Sequence, residues 1–266
     1  MIQLAKLTYY PIKGCRGFDV DEWNVERMGL ESDRRLMLVT SEGHFLTQRE
    51  HPRLALVRPE RVADSMHLSA PAFDSLRFTP RSSGPAVSVD IWRSKHVQAV
   101  DQGDEAAQWF SDWLGTPVRL VHFADGHVRH VNRDYAIHHD DHTAFADGFP
   151  ILIASEESLA DLNARLETPL PMNRFRPNIV VRGAGQSFAE DTWKRIRIGG
   201  VEMAVVKPCA RCEVTTTDQQ TAVRAKEPLK TLATFRKQKG GAMFGQNTIP
   251  LGAGRLQVGM TVEILE

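Results

Sequence analysis

Residues 255–264, RLQVGMTVEI, alternate apolar and polar side chains with a period of two, Leu256, Val258, Met260, Val262 and Ile264 falling on one side. That period is the signature of a half-buried β-strand, since successive side chains in a strand point to opposite faces. Shorter runs of the same kind recur at 2–9, 35–40, 53–58, 118–123, 178–182 and 201–206. So many short strands confine the chain to a strand-rich fold. Three helices interrupt them. At 104–114, Ala107, Phe110 and Leu114 share a face, and Gly115 and Pro117 follow as stop signals. At 156–166, Ser155 is the N-cap, Glu156 and Glu157 suit the positive end of the helix dipole, and Leu159, Leu162 and Leu166 form the buried stripe. At 228–236, Pro228 opens the helix and Leu229, Leu232 and Phe235 face inward. The fold class is therefore α+β, dominated by strands. The polar, His-rich stretch 124–149 reads as a loop, and the chain divides near residue 120 into parts 1–120 and 121–266.

A chain of 266 residues buries a core without disulfide staples. Its formal net charge of zero offers no global field for nucleic acid or an anionic membrane. No apolar run reaches the length of a membrane span, and the N-terminus lacks the pattern of a signal peptide. Three cysteines make no disulfide framework, so a reducing cytoplasm is the expected compartment.

Two of those cysteines, Cys209 and Cys212, stand in KPCARCEVTTTD. A structural zinc site needs four ligands, and neither Cys15 nor any paired histidines lie near in sequence. A thioredoxin-type dithiol opens a helix, whereas Glu213, Val214 and three threonines favour strand or turn. Two buried structural cysteines are the plain alternative. His138, His139 and His142, with Asp140 and Asp141, read as a polar loop rather than a metal site. Basic residues recur beside turn formers: Lys13 in YPIKGCRG, Arg34 and Arg35 in ESDRRLM, Arg49 in TQRE, Arg174 and Arg176 in NRFRPN. Guanidinium forks match phosphates and carboxylates, so the set suggests an anionic ligand.

Taken in order, YYPIKGCRG, SDRRLMLV, TQREHPRLALV, FADGFPILIASEESLADLN, NRFRPNIVV, KPCARCEVTTTD, EPLKTLATFR, MFGQN and VGMTVEIL resemble the MOSC-domain molybdenum proteins. The likeness is greatest to the bacterial YcbX type and the mitochondrial amidoxime-reducing components, and it covers nearly the whole chain. It implies a MOSC β-barrel domain with an N-terminal MOSC-associated β-rich region. It also implies a molybdenum cofactor (Mo-molybdopterin), whose pyranopterin carries a phosphate and a metal-chelating dithiolene. In the family's R-C-x-x-T-T motif the cysteine after arginine is the protein thiolate on the metal, which falls here on Cys212 after Arg211. Lys13 and Gly14 match the Y-P-x-K motif, Arg34 the D-R arginine and Arg176 the arginine of F-R-P-N. Gly148 and Phe149 stand where mitochondrial members carry Thr-Ser, which leaves the backbone as the contact there. Ala210 and Asn247 stand at further cofactor-side positions where those members carry serine and tyrosine.

The implied activity is reduction of N-hydroxylated small molecules, N–OH to N–H plus water. Three cysteines cannot furnish the four thiolates of a [2Fe–2S] centre, so the expected electron donor is a separate ferredoxin or flavin reductase. A cofactor carrier or sulfur-handling MOSC module without turnover is the alternative reading.

Overall fold

The alternating run that closes the chain is not one strand. In a computed structural model describing residues 1–266, it forms two, Gly254–Gln257 and Val262–Ile264, in different sheets. Gly259 sits between them at φ 93°, a backbone conformation open to glycine at no steric cost, and its N–H donates to Leu4 O. The first strand pairs with Glu22–Glu26 and the second with Arg195–Ile198. Leu256 and Val262 still reach one shared core, which is why the period of two survives the break.

That core lies against a nine-stranded sheet. From one edge its strands run Val262–Ile264, Arg195–Ile198, Val201–Ala210, Gly241–Pro250, Ile151–Ser155, Ile179–Arg182, Gln3–Tyr9 and Phe18–Val20, with Lys237–Gln238 attached to the fourth. Ile151–Ser155 and Ile179–Arg182 run parallel, so their connection must cross over. It does so through the helix Glu156–Asn163, whose N-cap Ser155 accepts a hydrogen bond from the Ser158 N–H. The strand Gln3–Tyr9 pairs with Ile179–Arg182, so the first residues of the chain complete the sheet of its second part.

The remainder of the first part contributes Glu22–Glu26 and Gly29–Leu30 to a three-stranded sheet with Gly254–Gln257 and builds two further small sheets. Leu36–Val39, Arg119–Phe123, Ser94–Asp101 and Ala86–Ile91 form one, and Arg58–Val62, Ser65–Ala70 and Phe73–Phe78 form the other. The helix Asp104–Leu114 packs on them through Ala106, Trp109, Phe110 and Trp113. Its buried face includes the expected Ala107 and Phe110, with Leu114 partly buried beside them, and is widened by Trp109 and Trp113, which lie four residues apart and both pack on Phe73 with ring centroids 5.4 Å away.

The expected strand at 53–58 is a correction: Pro52–Leu56 is a 3₁₀ turn, and the strand starts at Arg58. Pro52 at its first position lacks an N–H for a sheet and suits a helical start. The other expected strands and all three helices form, and no helix is long and apolar enough to cross a membrane.

Candidate active-site cleft

Lys13, Arg34, Arg176, Arg211 and Cys212 come from distant stretches of sequence and line one cleft. Lys13, Arg34, Arg211 and Cys212 lie just beyond the end of a strand, and Arg176 lies between the 3₁₀ turn Met172–Arg174 and the strand Ile179–Arg182. Tyr10, just past the first strand, is the hub. Two guanidiniums lie over its ring, Arg34 at 4.4 Å and Arg176 at 4.3 Å from the centroid, and its hydroxyl donates to Pro177 O. Burial pushes the Tyr10 phenol up to about 12, so it stays neutral beside the two cations. Arg34 and Arg176 both hold positive φ, 48° and 54°. Side chains other than glycine pay for that conformation, and it concentrates at functional sites.

The cleft is poorer in partners than in charge. One terminal nitrogen of Arg176 and Nε of Arg211 are buried with no hydrogen-bond partner. Arg211 otherwise donates to Phe175 O at 2.7 Å and to the Cys209 sulfur at 2.9 Å. Lys13 is 7% exposed and donates to Phe145 O and to the Asp147 carboxylate. Burial lowers the Lys13 ammonium, and Asp147 works against that fall. Gly14 beside it is at φ 84°, and its carbonyl accepts from Gln48 Nε2 at 2.6 Å. Gln48 in turn exchanges amide bonds with Gln219, tying the first part of the chain to the loop that follows Cys212.

Cys212 opens a 3₁₀ turn, Glu213–Thr216, and its carbonyl accepts from both the N–H and the hydroxyl of Thr215. The Thr216 hydroxyl donates to Glu213 O, while Arg174 donates to Thr216 O and to the Asp218 carboxylate. The threonines of EVTTTD thus fix the backbone that carries the thiol. A four-residue 3₁₀ turn is not the long helix whose dipole activates a thioredoxin cysteine.

Of the residues singled out in the sequence, Lys13, Gly14, Arg34, Gly148, Phe149, Arg176, Arg211, Cys212 and Asn247 line the cleft. Ala210 does not. It follows Cys209 on one strand, so its side chain takes the opposite face and is exposed. Cys209 lines the cleft with Cys212. Cys15 does not line it; it is buried, and burial raises its thiol to about 12. In the histidine loop, Asp141 accepts the N–H groups of Ile137 and His138, and nowhere do three or more metal-ligating side chains gather. Arg49 lines the cleft, whereas Arg35 turns away to Glu26.

Sequence reasoning passed over Thr47, Gln48, Asp147 and Asn178 in the lining, and Arg129 behind it. Asn178 stands within RFRPN and Asp147 adjoins Gly148, so adjacency to recognised motifs was their signal. Arg129 had none. It lies in the loop, is 7% exposed, and donates to Ala144 O, Ala146 O and Asp147 O at 2.7, 2.7 and 3.0 Å. That fork holds the 144–147 wall of the cleft. Arg129→Ala is expected to cost about 2–4 kcal/mol in urea unfolding, since buried carbonyls would lose charged donors. A loss below about 0.5 kcal/mol would contradict this role, being within the range of a surface substitution.

Residues 1–117 match the MOSC N-terminal beta barrel domain and residues 140–263 the MOSC domain. The chain is 36% identical to mitochondrial amidoxime-reducing component 1 of Danio rerio, over 97% of this chain and 83% of that one. This chain belongs to the MOSC family. Two other MOSC relatives agree. Mitochondrial amidoxime reducing component 2 of Bos taurus is 39% identical over 88% of this chain and 72% of its own length. Component 1 of Homo sapiens is 38% identical over 98% and 82%.

Proposed function

We propose that this MOSC protein is a molybdenum-cofactor-dependent reductase of N-hydroxylated compounds. The observation that carries the reading is the convergence of Lys13, Arg34, Arg176, Arg211 and Cys212 on one cleft, in a chain whose relatives are named for amidoxime reduction. The residues fit the group. Two buried guanidinium nitrogens without partners are donors awaiting an anion, and a soft thiol suits a transition metal. When bound, the cofactor supplies the two-electron redox couple and the oxygen-accepting centre.

The chain's own residues do the rest. Arg34 and Arg176, both over the Tyr10 ring, and Lys13 hold the phosphate and polar edges of the pterin. Gly14, Gly148, Phe149 and Asn247 add backbone and wall contacts, with Ala210 a neighbour by sequence alone. Cys212 gives the metal its protein thiolate. The walls exclude water and orient the N–OH group; with two electrons and two protons the N–O bond breaks, the oxygen leaves as water and the nitrogen is left as N–H.

Electrons come from a separate ferredoxin or flavin reductase. A cytoplasmic setting rests on three free cysteines, although the relatives carry the word mitochondrial in their names. The division near residue 120 stands as one of sequence, with Gln3–Tyr9 serving the second part. Purified protein from a cofactor-producing host should hold about one molybdenum per chain and reduce a hydroxylamine only when a redox partner is added. Negligible molybdenum sinks the reading. Metal that exchanges freely with an acceptor protein, without turnover, favours the carrier alternative.

A further inference from the structure

The charge of the cleft is lopsided. Five cationic side chains line it, Lys13, Arg34, Arg49, Arg176 and Arg211, and one carboxylate, Asp147. An anionic ligand accounts for the cations and makes the carboxylate a misfit, because like charges repel. The fold nevertheless braces it from three directions. Lys13 Nζ and Trp92 Nε1 both donate to its Oδ1, the indole at 3.1 Å, and Arg129 grips its backbone carbonyl.

Trp92 is itself held under strain. It occupies the two-residue turn between Ala86–Ile91 and Ser94–Asp101 at φ 52°. That costs a bulky residue on the order of 1–3 kcal/mol, and such strain persists where surrounding contacts enforce it. Three contacts enforce it: Arg49 lies 4.4 Å over the indole, Phe45 meets it edge-on at 4.7 Å, and its N–H ends on Asp147. Both side-chain bonds to the carboxylate fall on Oδ1, so Oδ2 is available to a ligand, and the side chain is 65% exposed. Enclosure in the cleft opposes its charge, but the Lys13 ammonium outweighs that and holds the Asp147 carboxyl well below the usual carboxylate range. At neutral pH it is an ionised acceptor on a rigid mount.

We propose that Asp147 is the specificity residue that reads the second nitrogen of an amidine-type substrate. Its Oδ2 accepts the N–H beside the N–OH group, and the same carboxylate pairs with the amidinium that reduction produces. This rests on the reductase reading above. The balance is R–C(NH2)=N–OH plus two electrons and three protons giving R–C(NH2)2⁺ plus water, with the electrons from the redox partner. The N–O bond breaks, its oxygen leaves in water, and the third proton resides on the product. A neutral donor thus becomes a planar cation with parallel N–H groups, the geometry a carboxylate binds best.

The test is calorimetry on molybdenum-loaded protein with benzamidine and its neutral isostere benzamide. Benzamidine should bind at least about tenfold more tightly, as a charge-assisted bond warrants. Asp147→Asn should remove that preference, leave benzamide binding and molybdenum per chain unchanged, and lower kcat/KM for benzamidoxime about tenfold. The same substitution should spare phenylhydroxylamine, which has no second nitrogen. Loaded wild-type protein that binds both ligands equally overturns the proposal, whatever becomes of the variant. So does a variant that keeps the preference. A wild-type protein without molybdenum fails the reductase reading instead.

Discussion

Cys212→Ala is expected to bring reduction of N-hydroxylated substrates to background and to strip molybdenum from the chain, while Cys209→Ala keeps both largely intact. The two sulfurs share the cleft, so position alone does not separate them. Their surroundings do. Cys209 accepts the Arg211 guanidinium and lies within the long strand Val201–Ala210. Cys212 begins a turn whose threonines clamp its carbonyl and hold its backbone fixed. A single thiolate on a rigid turn is what a metal bound chiefly by its own dithiolene requires. Rates and metal content measured together on the two variants decide the matter. Equal loss in both would point to a dithiol working as a pair. Full retention in Cys212→Ala would remove the basis of the site.

Protein made without the cofactor is expected to melt well below the loaded form. The cleft gathers Lys13 and Arg34 from the first part of the chain and Arg176, Arg211 and Cys212 from the second. Without an anion between them, five cations face one carboxylate and two buried guanidinium nitrogens go unpaired. A ligand at a thousand times its Kd stabilises the folded state by about 4 kcal/mol. For a chain of this size that shifts Tm by roughly 8–16 °C. Differential scanning calorimetry of protein from cofactor-deficient and cofactor-producing hosts measures the gap. Coincident melting would mean that the cleft gains nothing from its ligand.

Periodicity found four strands of the nine-stranded sheet, Gln3–Tyr9, Ile179–Arg182, Val201–Ala210 and, inside a longer run, Val262–Ile264, because each buries side chains against a continuous core; it passed over the other five. It failed at 53–58, where a proline at the first position outweighed an apolar run. It also merged two strands at 255–264, because Gly259 bends the chain while Leu256 and Val262 keep to one core, although Ile264 at the end of the run faces solvent. The hairpins between Arg58 and Asp101 escaped it. Their strands mix few buried apolar residues with polar or charged ones, as in RPERV, SMHLSA and FDSLRF, so the apolar signal in each is weak.

The sequence by itself determined the chemistry at hand: an arginine–cysteine pair ahead of threonines, basic residues set beside turns, and an ordered set of motifs that names the MOSC family. Those features are local, and local order is written in the chain. Tertiary structure decided what meets what. It brought Cys209 into the cleft and turned Ala210 out, because strand alternation gives neighbours opposite faces. It put Arg129 behind the cleft wall and Asp147 among the cations, braced by a tryptophan 55 positions away. No spacing rule links Trp92 to Asp147, since their contact exists only after two sheets have packed.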